Sequence, residues 1–125
     1  MKNIILVIVL LFSLNSFSQY TEDGVPYTGV LTLKYSSGAT QSEISFVNGY
    51  ENGPSIIYYE SGKILQKATK KNGKIHGESR RYFENGKLEK ITNWKDGERH
   101  GLETHYFTDG SIISRKNWKD GVEVK

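Results

Sequence analysis

The residues of this chain that could do chemistry are three histidines, a scatter of serines and carboxylates, and a cluster of lysines. His76 and His100 stand 24 residues apart, and with His105 they offer imidazole nitrogens that can ligate metal. No HxxxH pair occurs, and the 125-residue chain has no cysteine. The absence of cysteine excludes disulfides, thiolate zinc sites, iron–sulfur clusters and cysteine nucleophiles together. We expect no metal ion. No serine sits in a Gly-x-Ser-x-Gly elbow, and no glycine-rich run cradles phosphate. Glu84 and Glu89 flank a turn signal, where carboxylates are ordinarily solvated. These readings leave no catalytic residue and no cofactor, so the chain reads as not an enzyme. Lys63, Lys67, Lys70, Lys71 and Lys74 outweigh Glu51 and Glu60 and give residues 51–74 a net charge of +3. That charge suits an anionic partner, or simply a solvated sheet that resists aggregation. Over the whole chain, 17 basic residues face 14 acidic ones, a well-mixed surface that does not point to nucleic acid.

The elements that would position these residues follow from the glycines. Twelve of the 13 fall at 29, 38, 49, then 53, 62, 73, then 77, 86, 97, then 101, 110, 121. Each triplet recurs after 24 residues without insertion or deletion, which marks an internal repeat. The units are 27–50, 51–74, 75–98 and 99–122, after a short lead at 19–26. Other columns agree. Tyr35, Tyr59, Phe83 and Phe107 share one position, and Tyr58, Tyr82 and Tyr106 share the position before it. Phe46, Lys70, Trp94 and Trp118 share another.

The second and third glycines of each unit follow Ser, Asn or Asp, so they mark eight turns, and the segments between them are rich in strand-forming residues. Six of the eight pairs are Asn-Gly or Asp-Gly and suit type I′ hairpin turns. The fold class is therefore all-β: an antiparallel meander of about eight strands, four stacked β-hairpins in a single-layer sheet. If the inner turns are two-residue loops, Tyr59 faces Ile64, Phe83 faces Leu88 and Phe107 faces Ile112. Gly77 then lies across from Trp94, and Gly101 across from Trp118. On this register Gly29, Gly53, Gly77 and Gly101 are packing glycines, with a ring lying over bare backbone. Period-two alternation puts Tyr35, Tyr59, Phe83, Phe107, Phe46, Trp94 and Trp118 on one face as a structural aromatic stripe. The opposite face carries Tyr58, Tyr82 and Tyr106 with Arg80, Lys63 and Lys87, the candidate binding surface.

Residues 1–18 read as an address. Lys2 precedes an apolar run from Ile4 to Phe12, and Ser16 and Ser18 supply small residues before Gln19. This is the layout of a cleaved signal peptide. A nine-residue helix spans about 14 Å, short of the ~30 Å a membrane anchor needs. The expectation is export to the periplasm or the extracellular space, without a lipoprotein cysteine.

The stretches YYESGKIL, NGKIHGESRRYFENGKLEKITNWKDGERHG and LETHYFTDGSIISRKNWKDG are similar to the MORN repeat. They resemble most the variant form in bacterial proteins labelled YwqK-like antitoxins. The resemblance covers residues 27–122. It implies a curved sheet of stacked hairpins that acts as a scaffold or binding surface, and the antitoxin label implies neutralising a partner protein. Lys70 replaces an aromatic and Pro54 follows Gly53, so unit two departs from the pattern. The functional expectation is a protein-interaction scaffold with an unidentified protein partner. The alternative is an envelope ligand binder that contacts glycan or anionic lipid through its aromatic and basic surface. The C-terminal edge near Val122–Val124 offers a route to a homodimer.

Overall fold

The computed structural model describes residues 4–7, 18–21 and 23–125. Lys2, the apolar run beyond Val7, and Ser16, which carry most of the signal-peptide reading, lie outside them. β1 (Ile4–Val7) pairs antiparallel with β2 (Ser18–Thr21). The repeat region then runs β3 (Gly29–Lys34), β4 (Thr40–Val47), β5 (Tyr50–Tyr58), β6 (Ile64–Lys71), β7 (Lys74–Ile75), β8 (Gly77–Tyr82), β9 (Leu88–Lys95), β10 (Glu98–Arg99), β11 (Gly101–Tyr106), β12 (Ile112–Lys119) and β13 (Val122–Val124). All belong to one antiparallel sheet. The fold is all-β, an open sheet of hairpins, as the glycine lattice implies. β7 with β8, and β10 with β11, are each one arm of the meander interrupted at a histidine. Counted so, residues 29–119 make eight arms, and β13 is a short ninth.

The eight glycine turns are of two kinds. In the outer turns Asn48, Asn72, Asp96 and Asp120 have φ of 48–50°, and each following glycine is also positive. Two consecutive left-handed residues make the tight turn expected of Asn-Gly and Asp-Gly. The inner turns are different, and the expectation of a two-residue type I′ loop there is overturned. Only the glycine is left-handed. The Tyr59 carbonyl accepts from the Gly62 N–H at 2.9 Å, and the Tyr59 N–H donates to Lys63 O at 2.8 Å. The same pair of bonds recurs at Tyr35, Phe83 and Phe107. This is a four-residue turn closed by a glycine bulge. The residue before the glycine serves as an acceptor: Asn85 Oδ1 takes the Lys87 N–H at 2.9 Å, and Asp109 Oδ1 takes the Ser111 N–H at 2.8 Å. The Ser111 hydroxyl, which donates to the same Asp109 oxygen at 2.6 Å, and then the Ser111 N–H hold the Asp109 carboxyl below its ordinary value.

The turn type corrects the register at the hairpin tips. Tyr58 faces Ile64, Tyr82 faces Leu88 and Tyr106 faces Ile112, where Tyr59, Phe83 and Phe107 were expected. One residue per unit is then left out: Leu65, Glu89 and Ile113 fall between paired positions. Below this irregularity the anticipated register holds, with Gly77 across from Trp94 and Gly101 across from Trp118. The reason for the glycine is not the ring, however. A Cβ added at Gly77 would meet nothing within 4 Å, so there it is no packing glycine. The requirement is conformational: φ is +80° at Gly77 and +98° at Gly101, where the arm bends between its two hydrogen-bonded partners. Gly29 and Gly53 also have positive φ, and a Cβ there would crowd Tyr27 and Ser45 respectively.

Among the described residues only Phe46 and Ala68 are buried hydrophobic residues. Tyr35 and Tyr59 are half-buried because their rings reach the next hairpin, where their hydroxyls donate to the carbonyls of Tyr58 and Tyr82, each at 2.7 Å. Phe83, Trp94 and Trp118 are half-buried. Phe107 does not join the stripe as a packed residue. It is 52% exposed, because no further hairpin of the described chain covers it.

Replacing Gly101 by Val places a β-branched residue at φ +98° with its Cβ 3.4 Å from Asn93 Cβ. The expected cost is about 1–3 kcal/mol, a fall of several degrees in thermal midpoint. Lys87→Ala, at an exposed inner turn, is expected to stay within about 0.5 kcal/mol of the parent. Equal midpoints in thermal unfolding would contradict the conformational role of Gly101.

Candidate functional site

The histidines are built into the outer turns. His76 Nδ1 accepts the Asp96 N–H at 3.3 Å, and His100 Nδ1 accepts the Asp120 N–H at 3.4 Å. Thr28, in the same column, uses its hydroxyl for the Asn48 N–H at 2.9 Å. Asn52 reaches the side chain of Asn72 at 3.4 Å. This column therefore clamps the turn that closes its own unit. The Asp96 and Asp120 carboxylates lie 3.6 and 3.3 Å from the same imidazoles. Among the described residues no three His, Cys, Asp or Glu side chains converge as a metal site.

The candidate binding face divides into grooves between neighbouring hairpins. Lys63, Ile64, Lys67 and Tyr82 line one of about 470 Å³, together with Gly62 and Gly86. Lys67 also lines the adjoining groove of about 340 Å³, with Pro54, Ile56, Ala68, Thr69, Glu78 and Arg80. The structure thus brings Tyr82, Lys63 and Arg80 together through Lys67, which sits directly opposite Arg80 in the ladder. Arg80 is held by Glu78, whose bond and charge raise the guanidinium further above its ordinary value. No ion pair among the described residues takes up Lys67. Tyr58 stands apart. Its hydroxyl donates to Glu43 at 2.8 Å, in a third groove with Glu60 and Ser61. The bond to Glu43, burial and the Glu43 charge together push its ionisation upward. Tyr106 and Lys87 line none of these grooves. Lys70, the substitute for an aromatic, pairs with Glu51 at 3.1 Å.

The other face holds a polar cluster that the sequence reading did not pick out. Glu103 is only 4% exposed. The Thr92 hydroxyl donates to it at 3.2 Å, His105 Nε2 lies at 2.9 Å and Arg99 at 3.7 Å. Burial works to raise the Glu103 carboxyl. The bonds from His105 and Thr92, with the charges of His105 and Lys90, outweigh it and hold the group below the ordinary carboxylate range. In the neighbouring unit the equivalent residue is Ser79, which accepts the Trp94 Nε1–H at 2.8 Å. Trp118 Nε1 is buried without such an acceptor, and the Arg99 guanidinium lies 3.9 Å over its ring. A Ser-to-Glu difference within one repeat column was the available signal.

The MORN repeat variant model matches residues 51–72, 75–96 and 99–120. The chain belongs to this family. No curated protein matches the chain. The match begins at residue 51, yet residues 27–50 form the same unit, with the Gly49 N–H bonded to Tyr27 O as Gly73 is to Glu51. MORN repeats are in general non-catalytic modules for protein or membrane interaction.

His76→Ala should cost about 0.5–1.5 kcal/mol by freeing the Asp96 N–H, and zinc should leave the parent's thermal midpoint unmoved. A zinc-dependent rise would contradict the clamp. Glu103 has a lowered carboxyl in the folded state, so its contribution is present above the ordinary glutamate value. It is lost as the pH falls from the ordinary glutamate range through the lower folded value. Thermal midpoints across that range should drop more for the parent than for Glu103→Gln.

Proposed function

We propose that this protein is an exported, non-enzymatic MORN-type scaffold that binds another protein across the tyrosine face of its sheet. The leader-like segment at residues 1–18 supports export to the periplasm or beyond. The observation that carries the binding reading is the pair of connected grooves around Lys67. They join Lys63 and Lys67, which make no ion pair among the described residues, to Tyr82, Ile56 and Ile64 on one open surface. Such a surface fits an acidic segment with apolar side chains: carboxylates meet Lys63 and Lys67 while the apolar groups lie on Tyr82 and the isoleucines. A partner-neutralising role of the kind the antitoxin resemblance implies would use the same face. The alternative reading, contact with anionic lipid or glycan, is favoured by the same lysines.

The test is capture from the native envelope fraction with parent protein and with Lys67→Glu, followed by mass spectrometry. One stoichiometric protein held by the parent and lost by the folded variant is expected. Capture that is indifferent to Lys67 would overturn the assigned face. Charge-dependent binding only to anionic vesicles or to glycan would move the assignment to the alternative.

A further inference from the structure

The large apolar side chains that the described residues leave exposed are gathered at the two ends of the array. Val25, Val30, Leu33, Val47 and Tyr50 lie in unit one and its approach. Leu102, Phe107, Ile112, Ile113, Val122 and Val124 lie in unit four and just after it. Between residues 51 and 101 there is none. Among the described residues each of these ends also carries a strand edge with no partner strand. Among the described residues β3 pairs only with β4. β12 pairs with β11 along its length, but β13 covers only residues 117–119 of its other edge. Among the described residues no strand pairs with that edge at residues 112–116, so the backbone N–H and carbonyl groups that point outward there have no ladder partner.

The junctions inside the chain show what fits such an edge. Ser42 and Glu43 face Ile57 and Ile56. Gln66 and Lys67 face Arg81 and Arg80, and Lys90 and Ile91 face His105 and Thr104. Each junction is the previous one moved on by 24 residues in both strands. Moving β9 on by one unit brings Lys90 and Ile91 to Ser114 and Arg115, on the free edge of β12. Moving β5 back by one unit brings Ile57 and Ile56 to Leu33 and Thr32, on the free edge of β3. The two free edges are thus the two halves of the repeat junction.

We propose that the protein associates head to tail with further copies of itself, β3 of one copy extending the sheet at β12 of another. Ser114 then faces Leu33 of the next copy, and Arg115 faces its Thr32. The β3 edge from Gly29 to Leu33 carries no charge, so it brings no repulsion to Arg115. Lys116 is already engaged by Glu123 at 3.6 Å. The internal junction that sets Lys67 against Arg80 tolerates more. The joint covers Leu33, Ile112 and Phe107. Phe107 gains the neighbour that the hydroxyl-bonded Tyr35 and Tyr59 already have inside the chain. Because the two surfaces differ, the association is heterologous and extends beyond a dimer unless it closes into a ring.

The chain lacks cysteine, which makes a register-specific test clean. Thr32→Cys and Arg115→Cys lie at exposed positions and are prepared as separate proteins. Oxidation of an equimolar mixture is expected to give a disulfide dimer, and oxidation of either variant alone is expected to give none. Light scattering of the parent protein should show mass rising with concentration in steps of one chain. Leu33→Glu should remove that rise with circular dichroism unchanged. A parent that stays monomeric to its solubility limit would overturn the proposal. So would cross-linking of Arg115→Cys with itself, which would mean a two-fold edge contact instead.

Discussion

Everything in this sheet depends on one hydrogen bond made four times. The outer-turn glycine donates its N–H to the carbonyl of the residue that opens its unit: Gly49 to Tyr27, Gly73 to Glu51, Gly97 to Ile75 and Gly121 to Arg99, at 2.7–2.9 Å. That bond needs two consecutive left-handed residues, which Asn or Asp followed by Gly supplies at little cost. It closes each hairpin at its base and hands the chain to the next. The opening arm must then leave one partner strand for another. It does so at a glycine of positive φ, with the preceding histidine, threonine or asparagine side chain tied to the turn. A single-layer sheet has little core to correct a misplaced strand, so local geometry carries the specification.

The residue that opens each unit shows how freely the same site can be filled. Tyr27 meets Phe46 with ring centroids 6.0 Å apart, Glu51 meets Lys70 as an ion pair, and Arg99 lies over Trp118. An aromatic pair, a salt bridge and a cation–π contact thus occupy one position of the lattice. Lys70 is therefore a substitution of chemistry within an unchanged frame, with Glu51 changed to match. Glu103 follows the same rule less completely. It answers to Thr92 and His105, and Trp118 is left without the acceptor that Ser79 gives Trp94.

Much of this was legible in the glycine spacing, since a 24-residue period without gaps defines units, arms and most of the ladder register. What was not legible was the kind of inner turn. A residue–Gly pair serves two geometries, one that asks the first residue for positive φ and one that asks its side chain for an acceptor. Ser37 and Ser61 were the available clue, because serine accepts hydrogen bonds but rarely adopts the left-handed region, and every outer turn uses Asn or Asp. Misreading that turn moved the partners of Ile64, Leu88 and Ile112 by one residue. On the candidate surface, alternation placed Tyr82, Lys63 and Arg80 on one face, and the structure adds Lys67 as the residue that links them. The tie between Tyr58 and Glu43 was hidden because it joins two units, and a single repeat column carries no record of its neighbours. The exposure of Phe107 was hidden for the same reason.

The unbroken frame also constrains how such a protein can change over time. Inserting or deleting one residue in an arm would invert every side chain beyond it and detach the next outer turn from its carbonyl. Adding or removing a whole unit leaves each junction as it was. Length in this architecture is therefore inherited in blocks, and a lineage can lengthen or shorten its surface by duplication or loss without inventing new contacts. Residues such as Lys67 and Glu103 can diverge inside any one block while the others hold the shape.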